Sequence, residues 1–462
     1  LTAPTHPVTF QNGVTLGSEV TIVGSSLAFQ STVSGPGRTL RAAAALFGGS
    51  SPISIVFDGD VGTAQNPLGP ITVTCPLGTV TINAAVYSTG PVIITGGSID
   101  GDADNAIRTP TGTISLLAAD GIGATTPIAV EATSVTASTV TGGIRLRGIG
   151  DITVGAAGLI ASAGAIDLTA SGQIRVPGGN TIQAANGVTT NTPIRWGLLG
   201  TADSGAGSLR SVIGMANATR AAGIIEFAAG QSTFVLQSAL PQITIPLAIN
   251  GGTGSNSVVI DGNSGVASGL VFTFQSAGSS LSNVLVRNFT GFGVQLVGVQ
   301  NMVVDTIVVR SLNTSTSMGL YATGNLAGTT ITGSVFSGGL RGALLDSARS
   351  LTFGQIGRGN TLANNVSAPN DPRFSGTGIR AQGNCVGTVV TGNTFTLNNI
   401  GFGFVNCQNL SLTRNTFSRN KGTAIYVEGN CTGSTQTNNT FASARPDRNG
   451  AIMRRFARSR GV

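Results

Sequence analysis

Three aspartates alternate in SIDGDADN, residues 98–105: Asp100, Asp102 and Asp104. Alternating carboxylates on a loop suit Ca²⁺, a hard cation that takes oxygen ligands. The stretch departs from a calcium loop at two places. Asn105 stands where Gly would make the sharp turn, and Thr111 where a Glu would close the site. The expectation is a polar turn between strands, with calcium as the cation it would take and no other cofactor. Glycoside hydrolysis would instead need two carboxylates facing each other. The C-terminal half offers Asp261, Asp305, Asp346, Asp371 and Glu428 before the tail, none close to another in sequence. The one histidine, His6, lies near the start. These residues predict no catalytic site.

Cysteine chemistry is the other candidate. Cys385, Cys407 and Cys431 each precede Asn-Thr-Phe by the same spacing, in GNCVGTVVTGNTF, VNCQNLSLTRNTF and GNCTGSTQTNNTF. The equivalent slot elsewhere holds Val299 and Leu326, so it reads as apolar and inward. Stacked neighbours would lie within disulfide range, and Cys407 could pair with one neighbour only. A linear thiol stack without His does not supply the tetrahedral array zinc wants. Buried free thiols, one disulfide and a metal are the three readings, with free thiols foremost. Cys75, in ITVTCPLG, has no sequence partner.

What positions these residues is a repeat. Asn-x-apolar triplets start at Asn283, Asn393, Asn415 and Asn439, with looser copies at Asp305, Ser334 and Asn360. The steps are 22, 29, 26, 33, 22 and 24 residues. A base period near 22 with insertions is what a parallel β-helix produces, each coil stacking about 4.8 Å beyond the last. The 33-residue step holds SAPNDPRFSGTG, an expected exposed loop. Asn393, Asn415 and Asn439 are expected to shape turns and to bond amide to amide along the stack. Phe395, Phe417 and Phe441, with Phe336, are expected to form an internal ring ladder. In the N-terminal half Ile114, Ile144 and Ile166 open Ile-x-Leu strands, each followed eight residues later by Ile122, Ile152 and Ile174. Alternation puts the apolar residues on one face.

Between the halves, Leu209, Val212, Ile213 and Ala216 follow helical spacing in GSLRSVIGMANATRAAG. Ser208 would cap this helix and Gly223 end it. A helix over an open coil would protect its edge strands. The reading is thus all-β: a right-handed parallel β-helix (β-solenoid) with a capping helix near 207–222. Its divisions are 1–200, a β-solenoid or β-rich repeat region; 201–444, the β-helix; and 445–462, a basic tail or cap, with a short helix near Ile452–Phe456 as the element that would cover that end.

Composition agrees. Charged residues are 9% and Gly numbers 68 of 462, against roughly 25% charged in ordinary domains. No apolar run reaches the ~18 residues a membrane-spanning helix needs. Charge is uneven: seven Arg and ten acids in 1–200, but six Arg and Asp447 in 445–462. Basic residues are too sparse and too little interleaved with aromatics for nucleic-acid binding.

The strings DSGAGSLRSVIGMANA, GIIEFAAGQSTFVLQSALPQITIPLAINGG, SVVIDGNSG and the repeated GNTF coils resemble bacterial secreted right-handed parallel β-helix proteins of the pectate-lyase-like superfamily, abundant in planctomycete-type genomes. The resemblance covers about 203–441. It implies the fold, the capping role of the GSLR helix and an extracellular or cell-surface location. The superfamily's Arg-x-Pro-x-x-Arg lyase signature is absent, ARPDR having the wrong spacing. The N-terminal half is similar, more loosely, to filamentous-haemagglutinin-type solenoid repeats. Fold does not give function. The expected role is a structural extracellular fibre or surface-filament subunit, with adhesion as a further role. Copies would form a head-to-tail homopolymer, with Arg445, Arg448, Arg454, Arg455, Arg458 and Arg460 supplying one side of the junction. The rival is a polysaccharide-active enzyme or a module binding surface glycans.

Overall fold

A computed structural model describes residues 1–3, 5–45, 53–102, 105–228, 232–252, 258–311, 316–366 and 375–442. The chain is a parallel β-solenoid that divides into two compact units. One comprises Leu1–Leu199 with Met215–Gly223; the other comprises Gly200–Gly214 with Ile224–Val462.

In the second unit three parallel ladders wrap one core. The first runs from Thr233–Val235 to Thr440–Ala442, the second from Ser268–Thr273 to Ile425–Glu428, and the third from Leu247–Asn250 to Thr435–Thr437. One inner column reads Ile260, Val286, Val309, Phe336, Leu362, Phe395, Phe417, Phe441. The rings of Phe395 and Phe417 stack at 4.7 Å and 7°, and those of Phe417 and Phe441 at 5.4 Å and 15°. Leu362 separates Phe336 from this stack, so the ladder has three rings where four were expected.

Two predicted triplets are out of register. Val286 and Val309 occupy the column where Leu285 and Ile307 were expected. Asn283 (φ 54°) and Thr306 (φ 53°) sit instead in a left-handed slot just before the triplet, as do Gly333, Gly392, Arg414 and Asn438. Asparagine suits both that slot, where it tolerates a left-handed backbone, and the next one, where its amide bonds across coils. The expectation that one residue did both is corrected: Asn393, Asn415 and Asn439 follow the left-handed residue and do not adopt its conformation.

In the first unit the Ile repeat splits. Ile144 and Ile166 pair directly, as do Ile152, Ile174 and Ile194. Ile114 lies in a different column, with Ile71, Val92 and Val135, while Ile122 pairs with Ile144. The strands there are long, Ala106–Ile122 reaching 17 residues, and bulges shift their register. The 30-residue step therefore carries the motif on to another column.

The helix spans Leu209–Thr219 and buries Leu209, Val212, Ile213 and Ala216, the stripe its spacing predicts. Ser208 Oγ accepts from the Ser211 N–H at 3.2 Å and caps its start. It ends before the expected Gly223, because Arg220 takes a left-handed φ of 61°. No helix among the described residues is long and apolar enough to cross a membrane.

Candidate functional site

The asparagine amides form a continuous internal chain. The Asn360 side-chain amide donates to Asn393 Oδ1 at 3.0 Å, Asn393 to Asn415 at 3.0 Å, and Asn415 to Asn439 at 3.1 Å. Each acceptor also takes the backbone N–H of the residue above it, at 2.8–2.9 Å. A second chain escaped the sequence reading: Asn365 donates to Asn398 at 2.8 Å and Asn398 to Asn420 at 3.2 Å. Its signal was present, since each of these lies five residues after Asn360, Asn393 or Asn415. Buried amides must be paired, so these columns lock the register of the coils.

Cys75, Cys385, Cys407 and Cys431 are free thiols. Cys385 and Cys407 are fully buried, as are Val299 and Leu326 in the same slot, and Cys431 is half-buried. The Cys407 thiol, in contact with that of Cys385 and buried, is held above the ordinary thiol range, and burial raises Cys431 and Cys75 as well. Protonated thiols are poor nucleophiles.

Asp261 and Asp305 are engaged across coils. Arg287 Nε donates to Asp261 Oδ2 at 2.8 Å, the Asn288 amide to Oδ1 at 3.0 Å and the Asn263 N–H to Oδ1 at 2.9 Å. Arg358 Nη2 donates to both oxygens of Asp305 at 2.7 and 2.8 Å, and Thr332 Oγ1 to Oδ1 at 2.8 Å. Burial alone would raise both carboxyls, but these donors and the nearby guanidinium charges bring each below the usual range. The sign for stability follows. Both carboxylates bind protons more weakly folded than unfolded. Their stabilisation is complete above the ordinary value of about 4 and is lost as pH falls through the folded values. Thermal melting from pH 7 down to pH 2 should therefore show a decline below about pH 4. Asp261→Asn should reduce that decline; an unchanged acid slope would contradict the assignment.

On the second unit one sheet turns a mixed row outward: Gln295, Tyr321, Leu344, Arg380, Gly403 and Tyr426 are in register on successive strands. The Tyr321 ring lies 4.9 Å from that of Phe292, and the Tyr426 hydroxyl donates to Glu428 Oε2 at 2.8 Å. The parallel row places Asp346, Gln382, Val405 and Glu428 on four consecutive strands. Three strand spacings separate the backbones of Asp346 and Glu428 by about 14 Å. The carboxyls of a glycosidase pair lie about 5–9.5 Å apart, closer than these two backbone positions. Sequence spacing hid this face, because insertions between coils scramble the offsets.

In the first unit Asp100 accepts the Thr125 N–H at 3.1 Å, tying two coils together. The Asp102 carbonyl accepts the Asn105 N–H at 3.3 Å. Asp104 lies outside the described residues, as do Asp371 and the arginines Arg445, Arg448, Arg454, Arg455, Arg458 and Arg460. Among the described residues no three His, Cys, Asp or Glu side chains are grouped to hold a metal ion.

Val8–Phe10 pairs only with Leu27–Phe29 among the described strands, and Thr440–Ala442 only with Thr416–Ser418. Among the described residues each of these two strands carries the last ring of a stack. Phe10 lies on Phe29 at 5.0 Å and 12°, and Phe29 on Phe57 at 5.0 Å and 8°. Phe10 is half-buried, and Phe441 is 45% exposed.

Residues 268–453 match the family described as the right handed beta helix region. No curated protein matches the chain.

Proposed function

We propose, taking the right-handed β-helix region over 268–453 as premise, that the chain is a structural subunit that assembles head to tail outside the cell or at its surface. One observation carries this reading: among the described strands Phe10 and Phe441 each stand last in a stack of rings, Phe10 half-buried and Phe441 45% exposed. Unpaired strand edges template pairing with another chain. An edge of one kind meeting an edge of another is a heterologous contact, which extends instead of closing. Charge favours it, since residues 1–200 carry more acids than bases while 445–462 carry six Arg and a single Asp.

The test is a mixing experiment read by negative-stain microscopy and sedimentation. Wild-type protein should form filaments with a regular axial repeat, more readily at low salt. Phe10→Asp and Phe441→Asp should each stay monomeric. Mixed together they should give dimers and nothing longer, because each retains one working edge. Wild-type protein that stays monomeric at high concentration, or variants that polymerise normally, would sink the reading.

A further inference from the structure

Asparagine is chemically labile, most of all before glycine, where no Cβ shields the following backbone nitrogen. The chain holds four such pairs: Asn12-Gly13, Asn186-Gly187, Asn250-Gly251 and Asn449-Gly450. The last lies outside the described residues. Conversion requires the glycine nitrogen to reach the asparagine side-chain carbon. The glycine N–H and the asparagine amide must both be free to move, so a hydrogen bond on either opposes the reaction.

Two of the pairs are held. The Gly251 N–H donates to the Ser282 carbonyl at 3.0 Å. Asn250 Oδ1 accepts from the Gly252 N–H at 3.0 Å and from the Asn283 amide at 3.0 Å. The Asn186 amide donates to the Ala163 carbonyl at 3.0 Å, and the buried Gly187 gives its N–H to the Ala184 carbonyl at 3.4 Å. Asn12-Gly13 differs. Both residues are exposed, in the bend between strands Val8–Phe10 and Val14–Thr15. Among the described residues neither the Asn12 side chain nor the Gly13 N–H makes a hydrogen bond. The chain is next anchored at Val14, whose N–H donates to the Thr32 carbonyl at 2.8 Å. Ring closure at Gly13 therefore breaks no hydrogen bond.

We propose that Asn12 is a site of spontaneous covalent modification, converting in the folded protein to aspartate and isoaspartate while Asn186 and Asn250 persist. The Gly13 nitrogen attacks Asn12 Cγ. A C–N bond forms, the nitrogen gives its proton to solvent base, and ammonia leaves to give a cyclic imide. Water then adds at either imide carbonyl. Opening between Cγ and the Gly13 nitrogen yields aspartate. Opening at the original peptide bond yields isoaspartate, with the main chain rerouted through Cγ. Water is consumed and ammonia released, with no oxidant or reductant. The new carboxylate is ionised at neutral pH. It stands on an exposed turn, where neither its charge nor a longer main chain meets packing. The charge appears two residues from Phe10, but the conversion itself does not depend on head-to-tail assembly.

The full chain is incubated at mildly alkaline pH, folded and in urea, and each site is followed by peptide mapping with mass spectrometry. In the folded protein, of Asn12, Asn186 and Asn250, only Asn12 should convert. In urea all three should convert, because the hydrogen bonds that hold the other two are gone. Asn12→Gln should abolish conversion at that position, since the longer side chain closes its ring far more slowly. Gly13→Ala should slow it severalfold by placing a Cβ beside the attacking nitrogen. The proposal is overturned if Asn12 persists in the folded protein over the time in which it converts in urea. It is also overturned if folded Asn186 or Asn250 converts as fast as Asn12, or if Gly13→Ala converts at the wild-type rate.

Discussion

Asn415→Ala should destabilise the second unit by about 3–6 kcal/mol. Asn415 Oδ1 accepts the backbone N–H of Asn393 at 2.9 Å and its side-chain amide at 3.0 Å. Its own amide donates to the Val390 carbonyl at 2.9 Å and to Asn439 Oδ1 at 3.1 Å. Asn393 and Asn415 are essentially inaccessible to solvent. Truncation would orphan two or three buried polar groups at about 1–3 kcal/mol each. Because solenoids couple mainly to nearest neighbours, the loss should appear first in adjacent coils. Hydrogen exchange should therefore accelerate at the amides of Asn393 and Asn415, together with a lower denaturant midpoint. Protection retained at Asn393 would show that the amide column is incidental to stability.

Phe417→Ala should cost about 3–5 kcal/mol, the range for emptying a buried aromatic site. Phe417 is sandwiched between Phe395 and Phe441 and touches no solvent to speak of. Its neighbours are held by strand pairing on both sides, so the cavity has little room to collapse. Phe441→Ala should cost well under half as much, because that ring is 45% exposed and less apolar area returns to water. Equal losses at the two positions, measured by chemical denaturation, would mean that Phe441 is covered in solution. That result would bear directly on the assembly contact proposed for this edge.

Much of the architecture was legible from period alone. Steps of 22 and 24 residues ran through Asn393, Asn415 and Asn439, and these three stack as read. Further from this region residue type and register part. Asn283 matched the pattern as a residue type but lies one position early, in the left-handed slot. Ile114 shared a motif with Ile144 but belongs to another column. In both cases local preference was right and register wrong, since one asparagine serves two adjacent slots and one Ile-x-Leu serves every side of a coil.

The outward surfaces were the least legible. Tyr87, Arg108 and Glu131 stand in register on neighbouring strands of the first unit. They are separated by more than 20 residues at each step, with nothing in their local sequence to mark them. The sequence by itself determined the coil, because the inward residues repeat under a strict demand for apolar volume and paired amides. Only the tertiary structure decided which outward residues became neighbours. Turns absorb insertions of any length without disturbing the stacked strands, so distance along the chain carries no record of distance across the surface.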